Sequence, residues 1–547
     1  MSHLFFFDTL SGFVGIFVLF FFVLTFIYSL GYMRFEGGSL RYYLNLFFTV
    51  LASLGVVFSN NLIMLMVFWG FLGMLLYLLI DFGQKPRTSA TAKKAFIIIG
   101  GTDAFMLLGL GFIWQMTGSL NITSLSIPLN TKMATWAYLC LAAGAFAKAG
   151  AMPFHTWVPD TAEDAPTPIT AFLPASLDKL LGIYFLARLS LDIFQMTPLM
   201  NTVLMLLGSV TIVAAVMMAL VQHDLKRLLG YHAVSQVGYM ILGIGTANPI
   251  GIAGGLFHML NNAVYKSCLF LSGGVVEQKA GTTDLDKLGG LVKVLPITFT
   301  SFLIAALAIS GVPPLNGFAS KWMIYQGIIE TGKTTGGLWI VWLVAAMLGS
   351  ALTLASFMKL IHAIFLGQPS RKMIVEKKGR EASSLMLIPV VTLSVLCILF
   401  GVFAYSFPLK GFIIPALGMS LEYSGAWSAT LATLLLLFSV LIGCVIYYFG
   451  NTAKTREAKM FVGGEILEEV PHMRLSGTEF YNTIKDIGFF KAMYWMAEKK
   501  LFDIYEVGTK LTFGFNKALR YLHNGVLPTY LAWCLLGMGI IFYVLFK

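Results

Sequence analysis

Seven ionisable side chains lie inside long apolar stretches of this sequence, where charges are rarely placed. They are Asp103, Lys148, Asp178, Lys179, His258, Lys266 and Lys321. A charge at the centre of a membrane span costs roughly 2.5–3.5 kcal/mol even on the scales derived from insertion experiments. Lysine is suited to carrying protons because burial favours its neutral form, whereas a nearby carboxylate favours its charged form. We therefore expect a file of buried lysines, above all Lys148, Lys266 and Lys321, to move protons or sodium ions through a bilayer.

Three polar residues in one of these stretches share a helix face. His258, Asn262 and Lys266 are spaced four residues apart, so each is rotated by only about 40° from the one before. A stripe of groups that accept and donate protons, with gaps that water can bridge, is what a proton path needs. For any single lysine, the alternative explanation is a snorkelling side chain or a structural ion pair. That alternative stays open for Lys359 and His362, which lie close to a strongly basic stretch.

The elements that must position these side chains are membrane-spanning helices. Of the 547 residues, 58% are hydrophobic and 12% are charged, against roughly 25% charged in soluble domains. Stretches of about 20 apolar residues span a bilayer as helices, and about fourteen such stretches lie between turn signals. The stretch 294–330 is too long for one span, and Gly311–Gly317, with its Pro-Pro pair, predicts one interrupted helix there. The predicted spans are approximately 4–33, 41–58, 61–80, 95–117, 133–151, 166–188, 198–221, 228–246, 250–275, 294–330, 337–366, 383–408, 426–449 and 526–546.

The distribution of basic residues predicts the orientation of the chain. The net charge of +11 alone could suggest nucleic-acid binding. However, 27 of the 37 basic residues fall in loops on one side of the predicted spans, and five fall on the other. Cytoplasmic loops of membrane proteins carry the excess of lysine and arginine. We therefore expect both termini on the exterior side and no nucleic acid among the partners.

The sequence holds no pattern for a cofactor or a catalytic centre of its own. Its five cysteines all lie in apolar segments and lack the spacing of metal ligands. There is no Gly-rich phosphate loop followed by Lys-Ser/Thr, and no Ser-His-Asp arrangement. We expect any redox chemistry to take place in other subunits.

Several short motifs occur in order over about residues 5–365 and together carry a family resemblance. They are Tyr28–Met33, Lys93–Phe96, Pro153–Trp157, Val158–Asp160, Ala165–Pro168, Gln222–Arg227, Ser235–Tyr239, Phe257–His258 and Gly317–Lys321. With them the chain resembles the antiporter-like subunits of respiratory complex I, energy-converting membrane hydrogenases and multisubunit cation/proton antiporters. The resemblance implies an all-α membrane protein with two inverted five-helix repeats, each containing a broken helix. It also gives the central lysine positions of the family to Lys148, Lys266 and Lys321.

The repeats and the rest of the sequence give a division into six parts. Gly144–Lys148 and Gly317–Lys321 share a Gly-x-x-x-Lys spacing beside proline-interrupted stretches, which supports two related halves. Asp224 and Lys226, inside the His-Asp-Leu-Lys-Arg motif, are further candidates for the ion path. The parts are an N-terminal helix at 1–39, a first repeat at 40–190, a second repeat at 191–366, additional helices at 367–449, a cytoplasmic amphipathic segment at 450–525 and a final helix at 526–547.

Three departures from the family pattern bear on the mechanism. The family begins with two further helices, and this chain is expected to start at the third. Gly70 stands where the family carries a glutamate that pairs with the lysine at the position of Lys148. Pro174 and Asn262 stand where histidines are common in the complex I members. We expect Asp178, which cannot share a helix face with the residue after it, to face Lys148 and to replace that glutamate.

The resemblance implies an ion-translocating subunit of a redox-driven complex in the prokaryotic cytoplasmic membrane. Its partners would be other membrane subunits and a cytoplasmic-facing arm that holds iron–sulfur clusters and a nickel–iron centre. Two alternatives stay open. One is a subunit of a sodium/proton antiporter without a redox partner. The other is a structural member that lost transport when Gly70 replaced the glutamate, or a member that couples a proton gradient to the uptake of another solute.

Overall fold

The computed structural model describes residues 4–33, 40–367, 381–418, 420–421, 429–450, 478 and 481–546. The basic stretch at 371–380 and residues 451–477 of the expected amphipathic segment lie outside the described residues. The chain divides into two compact units, Met1–Ile487 and Gly488–Lys547.

The first half of the larger unit holds two of the four lysines expected inside the membrane. Its helices are α1 (Thr9–Tyr32), α2 (Leu40–Phe58), α3 (Leu62–Ile80), α4 (Thr88–Thr117), α5 (Lys132–Ala149), α6 (Trp157–Asp164), α7 (Thr167–Phe172) and α8 (Asp178–Arg188). Two short strands, β1 (Ile127–Pro128) and β2 (Phe194–Gln195), pair in parallel.

The second half of this unit holds the other two lysines. Its helices are α9 (Pro198–Leu220), α10 (Leu225–Gly245), α11 (Pro249–Ala280), α12 (Pro296–Ser310), α13 (Asn316–Thr335), α14 (Trp339–Ile361), α15 (Ser384–Val402), α16 (Ile414–Leu417), α17 (Ala429–Phe449) and α18 (Asn482–Asp486).

Helices are interrupted at two places that carry prolines. Pro174 lies in a five-residue π-helical segment, Leu173–Leu177, that joins α7 to α8. Proline cannot donate a backbone hydrogen bond, so such a segment leaves nearby carbonyls free for other partners. Residues 311–315 separate α12 from α13, where the sequence predicts a break. The two helices meet so closely that a Cβ on Gly317 would lie 1.9 Å from the carbonyl oxygen of Ala308.

Nine helical stretches of the described residues are long and apolar enough to cross a membrane. The more polar helices α5, α10 and α11 have 18, 21 and 32 residues, which is also sufficient length. Helix α11 lies at the centre of the larger unit, because every residue from Ile250 to Val276 is buried. It packs against α7, α10, α12, α13 and α15. The polar side chains of α11 therefore face other helices and not lipid.

The smaller unit consists of α19 (Gly488–Glu498), α20 (Ile504–Leu522) and α21 (Leu527–Leu545). Helix α20 is amphipathic, since its cations fall within roughly 80° of one face and its large apolar side chains cover the opposite face. The cations are Lys510, Lys517 and Arg520, and the apolar side chains include Leu511, Phe515 and Leu519. Helix α21 is one of the nine apolar stretches.

Candidate ion-translocation site

The first buried lysine lies beside an aspartate from another helix. Lys148, in the last turn of α5, is fully buried, and its Nζ lies 3.9 Å from Oδ1 of Asp178. The indole ring of Trp69 covers the ammonium at 5.3 Å. Lys148 Nζ and Asp178 Oδ2 are both buried without a hydrogen-bond partner among the described residues. The structure thus brings together two ionisable groups that hold each other by charge and not by a tight hydrogen bond.

A second carboxylate acts on the same lysine. Asp103, near the middle of α4, interacts electrostatically with Lys148 and lies close to the indole of Trp69. By contrast, Gly70 lies on the exposed surface of α3, where a Cβ would meet no atom within 4 Å. Gly70 therefore leaves no gap inside the bundle. Lys148 is flanked by carboxylates from α4 and α8.

Lys179 points away from the aspartate that precedes it. Its Nζ donates a hydrogen bond of 3.1 Å to the carbonyl oxygen of Ala149, the last residue of α5. A cation at this position is favourable because the C-terminus of a helix carries partial negative charge. Lys179 also interacts electrostatically with Lys266, so it lies between the first lysine and the second half of the unit.

Lys266 lies where α11 meets α10 and α14. Its Nζ donates to the carbonyl oxygen of Leu229 at 2.7 Å, and the rings of Phe270 and Phe357 lie 5.8 Å away. A buried histidine of α10, His232, interacts electrostatically with Lys266 and also with Lys321 and Lys359. The His232 ring nitrogen Nε2 lies 2.8 Å from the hydroxyl of Ser356.

His258 lies in a hydrogen-bonded cluster next to Lys321. Its ring nitrogens lie 2.9 Å from Ser320 Oγ and 3.1 Å from Gln236 Oε1, and the hydroxyl of Tyr265 lies 3.2 Å from Nε2. Lys321 interacts electrostatically with His258. These groups can each accept or donate a proton, and the tautomer of the histidine decides the direction of each bond.

Lys321 follows the break between α12 and α13. Its Nζ donates to the carbonyl oxygen of Ile309 at 2.8 Å and lies 4.6 Å from the ring centroid of Tyr239. The break therefore supplies the acceptor that holds this buried cation.

The polar stripe of α11 contacts several different elements. The amide of Asn262 donates to the carbonyl oxygen of Ala175 at 3.2 Å, in the π-helical segment between α7 and α8. His258 instead contacts α10 and α13, and Lys266 contacts α10. The stripe is thus where α11 joins the two halves of the unit.

Lys359 is buried and contacts the end of another helix. Its Nζ donates to the carbonyl oxygens of Leu220 at 2.7 Å and Gln222 at 2.8 Å, at the C-terminal end of α9. His362 begins a π-helical turn, His362–Leu366, directly after α14. Lys359 therefore caps one helix while it remains within electrostatic range of His232.

Asp224 and Lys226 lie apart from the lysine row, where α4 and α10 begin and α11 ends. We call this surface the basic face, and its ion pairs include Lys94–Asp160, Lys226–Glu277 and Arg227–Glu163. Asp224 caps α10 by accepting from the backbone N–H of Arg227 at 2.8 Å, and the hydroxyl of Thr283 donates to it. Burial raises the pKa of the Asp224 carboxyl. Lys226 is ion-paired with Glu277 at 3.1 Å.

Three residues that these contacts single out were missed in the sequence. His232 and Gln236 lie inside an apolar stretch of the sequence, so the same search for polar groups at membrane depth could have found them. Glu277 lies in the last two turns of α11, where a charge is unremarkable, and only its contact with Lys226 distinguishes it.

Comparison with known proteins supports the same architecture. A family model described as "NADH:quinone oxidoreductase/Mrp antiporter, TM" matches residues 59–364. A Na(+)/H(+) antiporter subunit A1 from Staphylococcus haemolyticus is 34% identical over 401 residues, which are 69% of this chain and 49% of that protein. NAD(P)H-quinone oxidoreductase subunit 5 of Chaetosphaeridium globosum chloroplasts is 32% identical over 560 residues, which are 92% of this chain and 81% of that protein. The chain spans about half the length of the antiporter relatives.

Two solved structures share the fold. One is the membrane-bound sulfane sulfur reductase, an archaeal respiratory membrane complex, with 22% identity and a TM-score of 0.77 over 96% of this chain and 88% of the matched chain. The other is the Mrp complex from Dietzia sp. DQ12-45-1b, with 22% identity and a TM-score of 0.67 over 81% of this chain and 86% of the matched chain.

Proposed function

This chain belongs to the NADH:quinone oxidoreductase/Mrp antiporter family of membrane proteins, and on that premise we propose that it translocates protons or sodium ions as a subunit of a multisubunit membrane complex. The observation that carries the proposal is a row of five buried lysines, Lys148, Lys179, Lys266, Lys321 and Lys359. Among the described residues, only Lys148 of this row has a carboxylate within 4 Å. The others donate to backbone carbonyls.

The basic face shows what structural lysines look like in the same protein. Lys94 is paired with Asp160 at 2.8 Å, and Lys226 is paired with Glu277 at 3.1 Å. A purely structural lysine in the middle of a membrane would need such a partner even more, because an unpaired buried charge is strongly destabilising. Lysines that lack one can lose and regain a proton without breaking an ion pair, which is the property required of a relay.

The partners of the lysines permit a change of protonation state. A carbonyl oxygen accepts a hydrogen bond from a charged ammonium or from a neutral amine, so the side chain can stay in place when its proton leaves. Asp178 and Asp103 favour the charged form of Lys148. We infer that Asp178 takes the role of the family's glutamate, and that a proton leaves Lys148 when this carboxylate moves away.

The order of the contacts suggests a path through the unit. It runs from Lys148 past Lys179 to Lys266, and then through His232 and His258 to Lys321. Lys148 and Lys179 both interact electrostatically with Asp178, and Lys179 interacts with Lys266. His232 interacts with Lys266 and Lys321, and His258 interacts with Lys321. Lys359 lies beside this path and serves chiefly to cap α9.

We propose about fourteen membrane spans, with two inverted repeats at 40–190 and 191–366. The interruption of a helix in each of these ranges supports this arrangement, since inverted-repeat transporters place broken helices at equivalent points beside the ion path. The basic face would lie in the cytoplasm and both termini outside the cytoplasmic membrane. The segment 450–525 would lie along the cytoplasmic surface, with the final helix at 526–547.

The driving reaction distinguishes two versions of the proposal. In the first, partner subunits in a cytoplasmic-facing arm carry iron–sulfur clusters and a nickel–iron centre, and electron transfer drives the ions. In the second, the complex exchanges sodium for protons without redox chemistry, as the names of the antiporter relatives favour. The subunits that co-purify with this chain distinguish the two versions.

Transport by vesicles that contain the intact complex tests the proposal. Asp178→Asn should slow ion-driven or electron-driven pH change at least about tenfold, because the carboxylate beside Lys148 loses its charge. Lys148→Ala should have a similar or larger effect. A matched control is Asp192→Asn, which removes a carboxylate that pairs with Arg188 at 2.7 Å, away from the lysine row. Wild-type rates for both Asp178→Asn and Lys148→Ala would favour a structural member of the family.

A further inference from the structure

The polar stripe of α11 continues beyond Lys266 to the basic face. Glu277 lies eleven residues after Lys266, about 16 Å farther along the helix, and on nearly the same side. Its carboxylate accepts from Lys226 Nζ at 3.1 and 3.2 Å, from the hydroxyl of Thr167 at 2.8 Å and from the hydroxyl of Tyr32 at 3.3 Å. Its side chain is 20% exposed, whereas that of Lys226 is 2% exposed. Glu277 is thus the member of the pair that reaches the surface.

A line of small polar side chains runs inward from Glu277 between α7 and α11. We call it the hydroxyl seam, and its inner end is at Ser176, two residues before Asp178 in the chain. All of its members are buried. They are Thr167, Thr170, Ser176, Ser267 and Asn262.

Two members of the hydroxyl seam bond across the helix interface. Ser267 donates to the carbonyl oxygen of Ala171 at 2.9 Å, and Asn262 donates to that of Ala175 at 3.2 Å. Thr170 and Ser176 donate to carbonyls of their own segment, as such residues commonly do. A hydroxyl that donates one bond keeps lone pairs that accept another, so a proton can pass along the seam where water molecules bridge these side chains.

The absence of a side chain at Gly274 leaves room for Thr167 and Tyr28 at the outer end of the hydroxyl seam. A Cβ on Gly274 would lie 2.5 Å from Cγ2 of Thr167 and 2.6 Å from the hydroxyl oxygen of Tyr28. A methyl group there must displace the threonine that donates to Glu277. By contrast, a Cβ on Gly273 would make only ordinary contact, 3.5 Å from Leu225.

We propose that Glu277, held by Lys226, is the loading residue that takes a proton from the basic face and delivers it through the hydroxyl seam to Asp178 and Lys148. The carboxylate of Glu277 accepts the proton from water at the basic face, which weakens its attraction to Lys226. Transfer of the proton into the seam leaves the carboxylate ionised again and restores the ion pair. This inference rests on the function proposed above, since it supplies the entry to that path.

Substitution of the carboxylate tests the inference in vesicles that contain the intact complex. Glu277→Gln keeps the size and hydrogen-bonding capacity of the side chain but removes its charge, and should slow proton uptake from the basic face at least about tenfold. Glu277→Asp should recover most of the rate. Glu163→Gln is the matched control, because Glu163 is also on the basic face and pairs with Arg227 at 2.6 Å, outside the hydroxyl seam.

A second pair of variants tests the seam without changing any charge. Gly274→Ala should slow transport severalfold, whereas Gly273→Ala should transport at nearly the wild-type rate. If Glu277→Gln and Gly274→Ala both transport at the wild-type rate while Asp178→Asn is slow, the proton enters elsewhere and the proposed function still stands. If Asp178→Asn also transports normally, the lysine path itself is wrong and this inference falls with it.

Discussion

The two halves of the lysine row hold their charges in different ways. In the first half, Lys148 is flanked by Asp178 and Asp103, so the position of a carboxylate sets its charge. In the second half, Lys266 and Lys321 lie around His232 with carbonyl, hydroxyl and aromatic partners. Deep burial without a nearby carboxylate disfavours the charged form of a lysine. On the proposed path, the first half would therefore retain a proton and the second half would pass it on.

The largest effect should follow from removing the central lysine of the second half. Lys266→Ala should lower transport by about 100-fold or more, because no other described amine contacts the carbonyl of Leu229. Lys266→Arg should not restore it, since arginine does not release its proton. The rate of pH change in vesicles measures both variants. Lys333→Ala, which changes a side chain that is 72% exposed, is the control.

Normal transport by Lys266→Ala would show that the second half of the lysine row does not lie on the path.

A smaller effect is expected at His232, which interacts electrostatically with Lys266, Lys321 and Lys359. His232→Asn should lower transport about tenfold, since asparagine can bond Ser356 but cannot take up a proton. The same vesicle assay measures it. His223→Asn is the control, because His223 is 60% exposed and pairs with Asp286 on the basic face. Equal rates for His232→Asn and His223→Asn would show that the lysines exchange protons without this histidine.

The two carboxylates of the first half should differ in importance. Asp103→Asn should slow transport only a few-fold, and less than Asp178→Asn, because Asp178 has the stronger electrostatic interaction with Lys148. Comparison of the two variants under one driving force gives the ratio. A larger loss for Asp103→Asn would assign the family's glutamate role to α4 and not to α8.

The smallest effect on transport is expected at Lys359, where the change should appear in stability. Lys359→Met removes hydrogen bonds to the carbonyls of Leu220 and Gln222 and should destabilise the fold by about 1–3 kcal/mol. The thermal unfolding temperature of the complex measures this, with Lys333→Met as the control. A transport defect as large as that of Lys266→Ala would place Lys359 on the path.

Much of the site could be read from residue type alone, because charged groups in apolar stretches are rare enough to stand out. The lysine row, His258 and Asp178 were all found in that way. The contacts between helices could not be derived from spacing. The π-helical segment Leu173–Leu177 changes the helical phase just before Asp178, so the direction of that side chain depends on a local distortion. The capping of α9 by Lys359 depends on where two distant helices meet.

Glu277 and His232 were missed because their importance depends on contacts between helices, which the sequence does not give. Residue type and spacing single out the lysines and the stripe of α11, whereas His232 gains its importance from Lys266, Lys321 and Lys359 on other helices. Glu277 lies near a helix end, where charges are common and carry little information. The family resemblance gave the central lysine positions to Lys148, Lys266 and Lys321, but it pointed to neither His232 nor Glu277.

Three of the five lysines hold the end of a helix, and this has a mechanical consequence. Lys179 contacts the last carbonyl of α5, Lys321 contacts the carbonyl one residue before the end of α12, and Lys359 contacts the last carbonyl of α9. A charged amine is attracted to such an end by about 0.3–1 kcal/mol more than a neutral one. Discharge of a lysine therefore loosens one helix end, and recharging tightens it. On the proposed path, the passage of an ion would be converted into small displacements of helices, which a neighbouring subunit in contact with them could detect or drive.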